Sequence, residues 1–254
     1  MRKVITGDVW LRKLYLTELL DLSDVEVTGM YICDMNYLTS LVGSPKFVGN
    51  GFGCGQNELT SLIGAPATVI GSFSCELNKL TTLDYIPLGI NGSFNCVGNQ
   101  LTSLKGSPKT VKNFNCNHNL LTSLEHAPLE VSGNYACHNN KLTNLKGINI
   151  ESINGGFFCH DNFLTSLEHA PSFVKGAFIC GFNNLIDLKY APKDVEDRFD
   201  CQFNNIQSLV HGPTEVGGNY NCNNNKLINL EGAPEICWGY FNCSGNELTS
   251  LIGI

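Results

Sequence analysis

From Val27 onward the chain repeats a short apolar–variable–apolar triplet: Tyr31-Ile32-Cys33, Phe52-Gly53-Cys54, Phe73-Ser74-Cys75 and so on to Phe241-Asn242-Cys243. Such alternation marks a short strand with one buried face. The aromatic and the cysteine are therefore expected in a core, and the residues flanking the cysteine on a solvent face. Leu follows each cysteine by five residues (Ile206 once) and again by eight, and Val or Ile usually precedes it by six. The set recurs eleven times, at intervals of 21 residues with a single 20 and a single 22. An apolar pattern with so fixed a period predicts a solenoid, whose coils bury their faces only against neighbouring coils.

Polar and turn residues keep the same period. Asn stands three residues after each of the eleven cysteines, from Asn36 to Asn246, and all nine prolines stand twelve after, from Pro45 to Pro234. The working consensus is V-x-G-x-F-x-C-x-x-N-x-L-T-S-L-x-G-A-P. The Asn side chain is suited to satisfy backbone groups of the turn after the strand. Proline fixes an extended segment on the opposite side. The expected fold is a β-rich solenoid with one parallel sheet of short strands, an extended or turn-built outer side and little helix. Residues 27–254 form the eleven coils as a single domain, and 1–26 a degenerate N-terminal cap, in which Val9-x-Leu11 and Leu16-Thr-Glu-Leu19 echo the repeat. The coil lacking a residue between Val111 and Cys116, and the extra residue within Lys146–Glu151, are expected in loops or bends. The final coil stops at Leu251-Ile-Gly-Ile254. It is expected to leave an uncapped edge through which the chain self-associates.

Composition narrows the function classes. The net charge is −7 with only 15% charged residues, which disfavours a phosphate-tracking surface, so no nucleic-acid partner is expected. No run of apolar residues is long enough to span a membrane, and no apolar leader follows Met1-Arg2-Lys3. Twelve cysteines at coil spacing contain no C-x-x-C pair for a metal knuckle. In-register parallel strands do not favour disulfide geometry. Reduced buried thiols and a cytoplasmic location are expected. No P-loop, nucleophile elbow or dinucleotide fingerprint occurs, so neither enzyme activity nor a cofactor is expected.

In the Cys116 coil, Val111-x-x-Phe114-x-Cys116-x-x-Asn119-x-Leu121 resembles the leucine-rich repeat, with aromatic and Cys replacing Leu in the strand. The N-x-L-T-S-L stretch followed by a proline step looks like the short bacterial class found in secreted effectors of pathogens, and is similar to phage and bacterial leucine-rich-repeat proteins. The resemblance implies an arc with a concave sheet, and a protein-binding role. By analogy, it would make the chain an inhibitor of a host or defence protein if phage-borne.

On that sheet the variable positions differ between coils. Early coils offer Gly51, Gly53, Gly55, Ser72 and Ser74; others offer Asn, among them Asn117 and Asn221. Phe158, Ile179, Phe182 and Phe203 are expected to point outward, with Phe163 near the edge, as a protein interface. His138, His160, Arg198 and Asp200 adjoin them. Asp194, Glu196 and Asp197 complete an acidic cluster around Arg198. His138 and His160 share a register position, and with His118 and Asp161 they are the weak candidates for a metal. The alternatives to protein binding are a small-ligand site (sugar, nucleotide or metal) along the Asn- and His-lined groove, and a structural self-assembling element.

Overall fold

The computed structural model describes residues 3–253. They fall into two compact units. The first runs to Leu121 and includes His126–Glu130; the second comprises Thr122–Glu125 and the chain from Val131 onward. Each unit is a parallel β-solenoid, with no helix among the described residues.

Each coil contributes two short strands where the sequence pattern predicts one. In the second unit the aromatic positions form one ladder: Tyr135–Ala136, Phe157–Phe158, Phe178–Ile179, Phe199–Asp200, Tyr220–Asn221 and Phe241–Asn242 pair in register. The β-branched positions form another: Ser152–Ile153, Phe173–Val174, Asp194–Val195, Glu215–Val216 and Ile236–Cys237. In the first unit the two strands of a coil fuse into Thr68–Ser74 and Leu88–Asn95. There Lys3–Ile5 pairs with Val25–Val27, and Val9–Trp10 lies beside Met30–Ile32. The missing residue near Val111 falls at the corner between Thr110–Val111 and Phe114–Asn115, and the extra one within the loop before Ser152.

The core is made of columns. In the first unit Tyr31, Phe52, Phe73, Phe94 and Phe114 stack at 5.7–6.0 Å between ring centroids. In the second, Tyr135, Phe157, Phe178, Phe199, Tyr220 and Phe241 follow one another at 5.0–5.7 Å, the pairs that include a tyrosine being tilted. The cysteines are all free thiols, and all but Cys237 and Cys243 are buried. The Asn column works as expected and more completely. Asn57 donates to the carbonyls of Cys33, Cys54 and Gly55, each at 3.1 Å, and accepts from the Leu38 N–H at 3.0 Å. It thus bonds its own coil and the preceding one. A smaller device, not drawn from the sequence, closes the next turn: the side-chain oxygen of Ser61 accepts from the Ile63 N–H at 3.2 Å, and Ser103, Ser166 and Ser208 repeat the contact two residues ahead.

The consensus glycine four residues before the cysteine has a steric cause. At this corner successive coils touch backbone to backbone. A Cβ on Gly71, which has φ +102°, would fall 1.6 Å from the Asn50 carbonyl oxygen; one on Gly218 would meet Asp197 atoms at 3.0 Å. The two sites should therefore respond differently to one methyl group. Gly71→Ala is expected to cost about 3 kcal/mol, the range of a backbone clash at a disallowed φ. Gly218→Ala should cost about 1 kcal/mol or less. Urea unfolding of both variants measures the difference, and equal losses would refute the close-approach explanation.

Candidate functional site

In the aromatic ladder of the second unit, the outward residue changes along the stack from Phe158 to Ile179, Asp200 and Asn221, which are direct strand partners. Phe158 lies back over its own coil. A Cβ on Gly156 would come within 2.5 Å of its ring. An open groove of about 490 Å³ results, lined by the apolar Phe158, Ile179 and Phe182 and by the polar Arg198, Gln202, Asn219 and Asp197. His160 and Asp200 also line it.

Phe182 and Phe203 sit two residues after their cysteines, at the turn that leaves the strand. Both have left-handed backbones, φ 54° and 51°. Their rings stack at 4.5 Å and are 43% and 44% exposed. Every coil uses a left-handed residue here; the neighbouring coils place Asn139, Asp161 and Asn224 in it. Phe163 lies further along its turn and is 53% exposed.

Solved structures match this arrangement of stacked coils. YopM from Yersinia enterocolitica WA-314 matches with a TM-score of 0.70 and 20% identity, over 93% of this chain and 57% of YopM. YopM from Yersinia pestis, described as a leucine-rich effector protein, matches with a TM-score of 0.56 and 18% identity, over 95% and 78%. The chain has the leucine-rich-repeat fold. It thus spans a little over half of the Yersinia enterocolitica YopM chain. No protein-family model matches it, and no curated protein matches its sequence.

Against the leucine-rich-repeat framework, six of the residues singled out by sequence line one groove: Phe158, His160, Ile179, Phe182, Arg198 and Asp200. Phe203 joins through its stack on Phe182, and His138 through its stack on His160. Phe163 is not part of the lining.

Asp200 departs from its expected role. It occupies an outward register position yet is fully buried. Arg198 pairs with it. Gln202 donates its backbone N–H at 3.0 Å and its side-chain amide at 3.1 Å, and Asn221 donates at 3.3 Å. Donors from its own coil and the next engage both oxygens, and the residue has no exposed surface, so Asp200 offers nothing to a partner. It neutralises Arg198 instead. The acidic cluster is also split. Asp197 faces the groove, whereas Asp194 and Glu196 line a separate cleft of about 280 Å³ with Phe173 and Glu215.

The histidines do not converge as metal ligands. His138 and His160 lie face to face at 4.2 Å, with an interplanar angle of 11°, so their nitrogen lone pairs, which lie in the ring planes, run side by side. His118 occupies a different position in its coil, the left-handed turn residue, and contacts Asn117 at 3.1 Å. Asp161 approaches His160 Nε2 at 3.8 Å. No group of three His, Cys, Asp or Glu suited to a metal occurs among the described residues.

In the first unit the glycines expected to be open are covered, whereas Ser72 is exposed and Ser74 half-buried as expected. Gly51, Gly53 and Gly55 are buried. The Asp34 carboxylate accepts the Gly55 N–H at 2.7 Å, and a Cβ on Gly55 would meet the Glu76 carboxylate at 2.6 Å. Burial pushes the Asp34 carboxyl above its ordinary range; the Gly55 N–H opposes the shift and nearby Glu76 adds to it. Asn117 and Asn221 are likewise buried rather than open.

Proposed function

We propose that this chain is a non-enzymatic binding protein that captures a partner protein in the groove beside Phe182. The Phe182–Phe203 pair carries the reading. A left-handed backbone costs an L side chain about 1–2 kcal/mol, and Asn at the same turn in adjacent coils bears it more easily. The stack of the two rings offsets part of that strain, yet each residue keeps over two-fifths of its surface exposed. Exposed aromatic groups in a partly enclosed groove are what anchor protein interfaces. The description of Yersinia pestis YopM as an effector protein supports the same role for this scaffold. Free buried thiols throughout both units support a reducing, cytoplasmic site of action, and residues 1–26 serve as the cap of the first unit.

A photo-crosslinking benzoylphenylalanine at position 182 should capture the same partner protein repeatedly, whereas the same probe at exposed His169 should not. Equal capture from both positions would overturn the site. With the probe moved to groove-lining Gln202, capture should persist in the parent, and the Phe182→Asn/Phe203→Asn double variant should abolish it. It should leave stability within about 1 kcal/mol of the parent, because Asn tolerates the left-handed turn.

A further inference from the structure

The groove has a chemistry more specific than apolar contact. Its wall of Phe158, Ile179 and Phe182 accepts hydrocarbon. Its one resident cation, Arg198, is neutralised by buried Asp200. Two carboxylates are not matched in this way. Asp197 lines the groove with no lysine or arginine within ion-pair distance among the described residues. Asp161 occupies the turn position next to Phe182 in the preceding coil. Its side chain is 42% exposed, and among the described residues only His160 stands within ion-pair distance of it. Phe182 thus lines a groove that also holds Asp197, and the Asp161 carboxylate stands at the matching turn position of the preceding coil. Aromatic faces and carboxylates both attract cations, and the net charge of −7 draws them from a distance. An anionic ligand would meet Asp161 and Asp197 with no free positive charge in return.

We infer, building on the protein-contact reading above, that the partner inserts a basic side chain: a lysine or arginine next to an aromatic or aliphatic residue. The apolar neighbour packs on Phe158 and Ile179. The cationic head lies over Phe182 beside Asp161, Asp197 adds negative charge elsewhere in the groove, and the Gln202 and Asn219 amides are hydrogen-bond partners for the peptide.

Three acetylated, amidated pentapeptides titrated into the 15N-labelled full chain test this: Ser-Lys-Phe-Lys-Ser, Ser-Ser-Phe-Ser-Ser and Ser-Glu-Phe-Glu-Ser. The basic peptide should shift the amide signals of Phe158, Ile179, Phe182 and Gln202 and bind about tenfold more tightly than the acidic one, the neutral peptide falling between. The Asp161→Asn/Asp197→Asn variant, with folding checked by its remaining signals, should reduce the basic peptide to the affinity of the neutral one. Equal affinity for all three, or tighter binding of the acidic peptide, would overturn the basic preference and leave the protein-contact reading standing. No shift at these residues with any peptide would overturn both.

Discussion

Raising the pH from 8 to 10 should unfold this chain, and the buried cysteine column should supply most of the driving force. Burial is the leading cause that pushes up the thiols of Cys33, Cys54, Cys75, Cys96, Cys137, Cys159, Cys180, Cys201 and Cys222 from their ordinary value of 9.0. Cys222, the least enclosed of these, reaches about 12. The folded chain therefore holds its thiol protons through a range in which the unfolded chain has released them. Stability supplied by this difference is complete below pH 9 and is lost as pH rises toward 12 and beyond. One such thiol forfeits on the order of 1 kcal/mol per pH unit above 9. Nine together amount to on the order of 10 kcal/mol at pH 10, the scale of a whole domain's stability. Urea midpoints under reducing conditions should fall steeply between pH 8.5 and 10. At pH 8 an alkylating reagent should modify only the two partly exposed thiols, Cys237 and Cys243. A flat pH profile, or rapid modification of all twelve, would show that the column is open to water.

That column was legible in the sequence because the repeat states each core position eleven times. Tyr31 or Cys33 alone would say little; the same pair recurring at every coil fixes face and register. The leucine-rich-repeat fold follows from that repetition. The second strand set was not legible. Two-residue strands such as Asp194–Val195 are too short to alternate, and the glycines beside them look like turns. The groove was partly legible, since Phe158, Ile179 and Phe182 are large apolar residues where the fold turns outward. What escaped was how outward side chains settle on neighbouring coils. Asp200 has the register of an exposed residue, yet Gln202, Arg198 and Asn221 enclose it. Gly53 and Gly55 look open until Asp34 and Glu76 fold over them. These outcomes depend on contacts between side chains in different coils, which no single-coil pattern contains.

Replacing one member of the Asn column should be the most damaging single change in the second unit. Asn183 donates to the carbonyls of Cys159 at 3.1 Å, Cys180 at 3.0 Å and Gly181 at 3.1 Å, and accepts from the Leu164 N–H at 2.9 Å. All of these groups are shut away from water, so Asn183→Ala leaves the Leu164 N–H without a partner, while the three carbonyls keep one donor each, from Asn162, Asn204 and the Asp161 N–H. An unsatisfied buried group costs about 1–3 kcal/mol and the lost bonds to the carbonyls add to it, which places the variant about 2–4 kcal/mol below the parent. Asn183→Asp should be worse at neutral pH. It keeps an acceptor for Leu164 but turns a charged oxygen toward three carbonyls and has no N–H to donate. Protonation supplies a donor, so the folded carboxyl must lie above its unfolded value. The variant should recover part of its loss at pH 4 and lose it again as pH rises. Asn246 is the internal control. It makes the same bonds, to the Cys222 and Cys243 carbonyls at 3.0 and 2.8 Å and from the Leu227 N–H at 3.0 Å, but in a part-exposed setting where water can replace them. Asn246→Ala should therefore cost about 1 kcal/mol. Denaturation of the variants decides between two origins of the column's strength. A large loss at 183 with a small one at 246 assigns it to desolvation of the turn backbone, and equal losses would assign it to the bonds themselves.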